Sequence, residues 1–130
     1  MSELTISTNN QLLNGASVAQ LGQAANEVAA KTTFQRELAG KAKNTRISYQ
    51  KDLETWAEYL SLAGADVVDC DWYGDPECWA GVTHGLVLGF AAWMQQNAFA
   101  IASINRKLST VRKFCAMAAQ AGVTTPAPLP

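Results

Sequence analysis

Tyr49, Leu53, Trp56, Leu60 and Ala63 recur at i, i+4, i+7, i+11 and i+14, which at 100° per residue puts them within about 80° of one another on a helix. The stretch that carries them, NTRISYQKDLETWAEYLSLAG, opens with Asn44 or Thr45 as N-cap and stops at Gly64 as C′ residue. Ser48, Lys51, Thr55 and Glu58 fall on its other side. No segment alternates as a half-buried strand does, and there is no internal repeat. The expected fold class is therefore all-α, a bundle of four to five helices.

Three further helices follow from the same pattern. With Ser17 as N-cap, Val18, Leu21, Ala25 and Val28 mark an Ala-rich helix that runs on toward Phe34 and Leu38 and breaks at Gly40. Its apolar face is thin, so it needs another surface, on this chain or on a neighbour. Thr83 caps a helix in which Leu86, Phe90 and Trp93 are joined by Val87, Leu88, Ala91, Ala92 and Met94 around most of the circumference. It is expected to be the central, most buried helix, ending at Gln95, Gln96 and Asn97. Ser103 is expected to cap the last helix, whose stripe is Ile104, Leu108, Val111, Cys115 and Ala118 and whose C′ residue is Gly122. Residues 65–82, with four acids before Pro76, read as a long connection with one short turn, folded onto the core by Trp72, Tyr73 and Trp79.

Residues 1–16 are polar without apolar periodicity and are expected to form a flexible tail ahead of a domain spanning 17–123. Residues 124–130 hold Pro126, Pro128 and Pro130 and read as an extended linker to a further domain. A chain of 130 residues has room for one core. Its longest largely apolar run, Val82 to Met94, falls short of the ~20 residues of a membrane span. No basic, then apolar leader opens the chain, and Cys70, Cys78 and Cys115, being odd in number, cannot all pair within it. A reducing, cytoplasmic setting is expected, without a membrane partner.

The formal net charge of −1 conceals segregation. Residues 1–30 carry −2, 31–51 carry +5, 52–77 carry −8 with no base, and 78–130 carry +4 with no acid. If the two basic blocks meet in the fold, the domain has a cationic face able to act on a polyanion. The alternative is a solvated, dipolar surface.

Catalytic and cofactor signatures are missing. No glycines fall into a phosphate-loop spacing. Cys70, Cys78 and His84 lack a zinc-knuckle spacing and would need an acidic fourth ligand, so neither a metal site nor any other cofactor is expected. His84, the single histidine, sits in the first turn of an apolar helix, where packing explains it. The acids at 66, 69, 71, 75 and 77 have no basic partner nearby in sequence and read as a solvated face.

The cations are more informative. With Ile104 at the centre of the buried face, Arg106 and Lys113 fall at about 200° and 180°, together on the exposed side, with Ser109 at about 140°. Asn105 and Arg112 flank them on one side and Lys107 on the other. A helix face offering Arg, Lys, Ser and Asn without an acid has the donors that phosphates and base edges require. On the second helix, Lys41, Lys43 and Arg46 crowd the N-terminus while Asp52, Glu54 and Glu58 lie further along. That order opposes the helix dipole, but it suits an anion bound at the free N–H groups of the first turn.

Thr45, Tyr49, Leu53 and Trp56 in the second helix, the segment VTHGLVLGFAAWMQQNAFAIA, and SINRKLSTVRKF from Ser103 to Phe114 together resemble the N-terminal core-binding domain of tyrosine recombinases, the phage-integrase family, over about residues 40–123. The resemblance implies a SAM-like helical bundle that grips one side of duplex DNA while a separate C-terminal domain breaks and rejoins the strands. The family's catalytic arginines, lysine, histidines and tyrosine belong to that second domain, so residues 1–130 are expected not to be an enzyme by themselves. The candidate DNA contacts are Lys41 and Lys43 at the N-terminus of helix 44–63 with Thr45, Arg46, Ser48 and Lys51 on it, and Ser103, Asn105, Arg106, Lys107, Ser109, Arg112 and Lys113 on helix 103–121. The expected partners are double-stranded DNA and other protomers bound to it, with no small-molecule substrate, in a bacterial or phage-encoded protein that joins the nucleoid when bound. The competing reading is a helical protein-interaction or assembly domain that binds no DNA.

Overall fold

A computed structural model describes residues 15–123, so the expected tail up to residue 14 and the expected linker at 124–130 lie outside the described residues. Four helices follow in order: α1 (Val18–Ala39), α2 (Lys43–Leu62), α3 (His84–Gln96) and α4 (Ile101–Gln120), with a short 3-10 turn, Pro76–Trp79, between α2 and α3. There is no strand among the described residues, as expected of an all-α bundle.

Local chemistry sets most of the boundaries. Ser17 caps α1 reciprocally: its Oγ accepts from the Gln20 N–H at 3.1 Å, and the Gln20 Oε1 accepts from the Ser17 N–H at 2.9 Å. Thr83 caps α3 by accepting from the Leu86 N–H at 3.2 Å. Two caps differ from expectation. α2 begins at Lys43 after Ala42 and α4 at Ile101 after Ala100, neither with a side-chain cap, which places Asn44, Thr45 and Ser103 inside their helices. α2 and α4 do stop where glycine permits a left-handed residue, with Gly64 at φ +105° and Gly122 at φ +91°. Each end is closed by the paired 6→1 and 5→2 bonds of a Schellman motif, Ala65 N–H to Leu60 C=O and Val123 N–H to Ala118 C=O being the 6→1 bond of each pair.

The core is built on aromatic rings. Trp56 is fully buried, stacked on Trp79 at 5.9 Å and 8° and met edge-on by Trp72 and Phe90. Phe114 of α4 is met edge-on by Phe34 of α1 and Tyr49 of α2. The 65–82 connection therefore packs on the core as its aromatic content requires, and the Trp79 indole N–H donates to the Trp72 carbonyl at 2.9 Å to close it.

Three expectations about burial are corrected. α4, not α3, is the central helix: it touches α1, α2, α3 and the 3-10 turn. α3 packs mainly on α4 and α2 and leaves Leu88 half exposed. On α1 the buried residues are Ala30, Phe34 and Leu38, whereas Val18, Leu21, Ala25 and Val28 are exposed, because only the second half of the helix reaches Phe114. The first half is set off from the body by a cleft of about 550 Å³ whose walls include Gln23, Asn26 and Ala80. The α2 stripe holds for Leu53, Trp56 and Leu60, but Tyr49 is half-buried, Ala63 is exposed, and Asp52 is buried beside them.

Candidate nucleic-acid interface

Asp52 sits only about 20° beyond the edge of the α2 apolar stripe, so helix geometry turns its carboxylate toward α4. There it meets three side chains. Arg106 donates to Oδ1 from Nε at 3.3 Å and from one Nη at 3.1 Å, and Lys107 donates from Nζ to the same oxygen at 3.2 Å. Thr110 donates its hydroxyl to Oδ2 at 2.6 Å. The Asp52 and Lys107 side chains are 1% and 9% exposed, while that of Arg106 is 53% exposed. Two cations against one buried carboxylate leave local positive charge, and the exposed Arg106 carries it to the surface.

A second carboxylate does a similar job one helix away. Glu37, near the end of α1, accepts from Lys113 of α4 at 3.3 Å and lies 3.4 Å from Lys41. The Lys113 ammonium, and after it Lys41, hold the Glu37 carboxyl below its usual range. The two basic blocks of the sequence therefore do meet, at Glu37.

The placement of α4 corrects the reading of its faces. Measured from Ile104, its buried residues run from Met117 at about −140° to Cys115 at about +20°, so the buried arc is centred on the direction of Lys107. Lys107 is accordingly inside, not on a flank of the exposed side, and Leu108, expected in the core, is half-buried. Arg106 and Lys113 lie roughly 100° and 120° from the centre of that arc. They border the buried surface rather than oppose it, which is why both reach carboxylates on neighbouring helices. Asn105, Ser109 and Arg112 form the outward face and Ser103 is half-buried. On α2, Thr45 and Ser48 are half-buried on the Asp52 side, whereas Arg46 and Lys43 lie about 120° and 180° round the helix from Asp52. Arg46 instead lines a hollow of about 270 Å³ with Phe34 and Tyr73, and Lys51 and Lys43 are exposed. The structure thus groups Lys41, Arg106, Lys107 and Lys113 through two carboxylates and sets Lys43 and Arg46 apart from them.

Asp52 and Thr110 were not among the candidate residues. The signal for them is an acid at the edge of one apolar stripe and, on a second helix, a lysine at the edge of another.

α2 and α4 also share open N-termini: neither has a side-chain cap or an acid in its first turn, and Lys43 is the first residue of α2. Their first-turn N–H groups suit an anion. Cys78 and Cys115 offer no activated nucleophile. Burial, helped by a hydrogen bond with Cys70, pushes the Cys78 thiol up to about 12, and burial alone pushes Cys115 up to about 12, so both are protonated at neutral pH. Among the described residues no group of three or more His, Cys, Asp or Glu side chains comes together as a metal site would require. No helix among them is long and apolar enough to cross a membrane.

The fold and this seam of anchored cations define a small helical module whose Lys41, Arg106, Lys107 and Lys113 are gathered around two carboxylates. Residues 32–122 match the family model for the N-terminal SAM-like domain of phage integrase, and the chain belongs to that family. The match begins in α1 just before Phe34, so the uncovered first half of that helix precedes it. No curated protein and no solved structure matches the chain.

Proposed function

We propose that this domain is the DNA-gripping module of a site-specific recombinase, with strand breakage and rejoining carried out by a catalytic domain outside residues 1–130. The observation that carries the reading is the acid-free α4, whose Arg106 and Lys113 are anchored by α2 and α1 along one edge while Asn105, Ser109 and Arg112 remain open. In this reading the open face of α4 and the start of α2 contact the duplex, and the expected linker leads to the catalytic domain. The protein would then work on chromosomal or phage DNA in the bacterial cytoplasm.

Self-association on DNA belongs to the same reading. Val18, Leu21 and Val28 of α1 leave an apolar strip that nothing in the described residues covers. The same strip is what favours the second reading, an assembly domain without DNA binding. A salt titration of binding to a labelled duplex separates the two. Neutralising about four phosphates gives a slope of log K against log[salt] near −3.6. A flat profile, or self-association with no duplex binding, would reject the DNA reading in favour of the assembly domain.

A further inference from the structure

We infer that Asp52 is a positioning residue for Arg106, fixing its guanidinium in the orientation in which it takes a DNA phosphate; the inference rests on the DNA-binding reading above. Arg106 is the most exposed of the anchored cations of α4. Two of its five N–H donors are committed to Oδ1 of Asp52, and the side chain is still about half exposed. Because the guanidinium is planar and rigid, holding its Nε edge fixes where the outer edge points. That outer edge keeps donors free for a phosphate, which arginine binds through two parallel bonds. Asp52 can serve as the anchor because it is itself immobile: Thr110 occupies Oδ2, Lys107 shares Oδ1, and the carboxylate has no exposure through which to swing away. An unanchored arginine gives up its rotamer freedom when it binds, whereas this one has given it up in the folded protein.

The inference opposes simple electrostatics in sign. Asp52 is a negative charge under a face meant for a polyanion, so on charge alone its removal tightens DNA binding. As a positioning residue, its removal loosens it.

The test uses the 130-residue chain and a fluorescein-labelled duplex, with affinity read by anisotropy over a salt series and folding checked by melting. Arg106→Lys keeps the charge but not the fork, and is expected to bind about 3- to 10-fold more weakly. The pair Asp52→Asn with Lys107→Met leaves the net charge unchanged and avoids a buried unpaired ammonium. It is expected to weaken binding by a similar factor, and adding Arg106→Ala to it should cost little more, because the two changes remove one interaction. Binding by the pair as tight as wild type, or full additivity with Arg106→Ala, overturns the inference. Should the pair unfold, Asp52→Asn alone decides: binding weaker than wild type supports positioning, and equal or tighter binding overturns it. Wild type that shows no salt-dependent duplex binding overturns the DNA reading and this inference together, whereas wild-type binding that Arg106→Lys leaves intact overturns positioning only.

Discussion

Two carboxylates tie α4 to its neighbours, Asp52 from α2 and Glu37 from α1, and they differ chiefly in water. Asp52 is fully buried and held by Arg106, Lys107 and Thr110, while the Glu37 side chain is 41% exposed and held by two lysines. The cations they bind, Arg106 and Lys113, stand seven residues apart on α4, about two turns. Sequence chemistry at the two places is similar, but the consequences are not. In the low-dielectric interior an unpaired charge is costly, so the Asp52 cluster holds the helix pair in one arrangement. At the surface, solvent screens the Glu37 pairs and they contribute little to stability.

The comparison breaks most clearly when each carboxylate is removed. Asp52→Ala leaves the Lys107 ammonium buried without a counter-charge and should cost about 3 to 5 kcal/mol in denaturant melts. That is as much as emptying the aromatic centre, since Trp56→Ala is expected to cost about 3 to 5 kcal/mol as well. Glu37→Ala should barely move the midpoint, and a large loss there would mean that exposure does not separate the two sites.

Thr110→Val sharpens the buried side alone. It keeps the shape of the side chain but leaves Oδ2 of Asp52 without a donor, and should cost about 1 to 3 kcal/mol by the same melts. A neutral result would show that the carboxylate is satisfied without the hydroxyl.

Glu37→Gln sharpens the exposed side. It frees Lys41 and Lys113 from a charged partner at little cost to stability, and a salt titration on duplex DNA should show tighter binding than wild type, the opposite of the loss expected at Asp52. Matching signs at the two positions would end the distinction between a positioning carboxylate and a screening one.

The smallest effect is in pH. The Glu37 carboxyl is lowered from its ordinary 4.5, first by Lys113. A depressed acid contributes stability that is present above its unfolded pKa and lost as pH falls through the folded one. The small difference in melting temperature between wild type and Glu37→Gln should therefore shrink on acidification below the ordinary carboxylate range, and a difference that grows in acid would reverse the sign of the interaction.

Several parts of the molecule were legible because each rests on neighbours in sequence. Ser17 and Thr83 cap helices with N–H groups three residues on, and Gly64 and Gly122 end them through their own φ angles. The Thr45, Tyr49, Leu53 and Trp56 spacing pointed to the family that residues 32–122 match. The alanines that precede α2 and α4 were not legible, since a cap made by backbone alone leaves no side-chain mark. The inward turn of Lys107 was missed for a different reason. A stripe of strongly apolar residues locates a buried face when one neighbour covers the helix, but α4 is covered on several sides, and its buried arc shifted toward Phe114 and Met117.

What the sequence determined by itself is what lies within a few residues along the chain: an all-α class, most helix ends, the folding of the Trp-bearing connection onto the core, and the segregation of charge. The tertiary structure alone decided which half of α1 is covered, that α4 rather than α3 is central, and that Asp52 lies beneath Arg106, 54 residues away in sequence. Hydrogen-bonded caps and helical periods are local and leave local marks. Burial of a charge depends on which helix arrives opposite it, and that is fixed only when aromatic side chains of α1 and α2 pack around Phe114 of α4 and bring the three helices together.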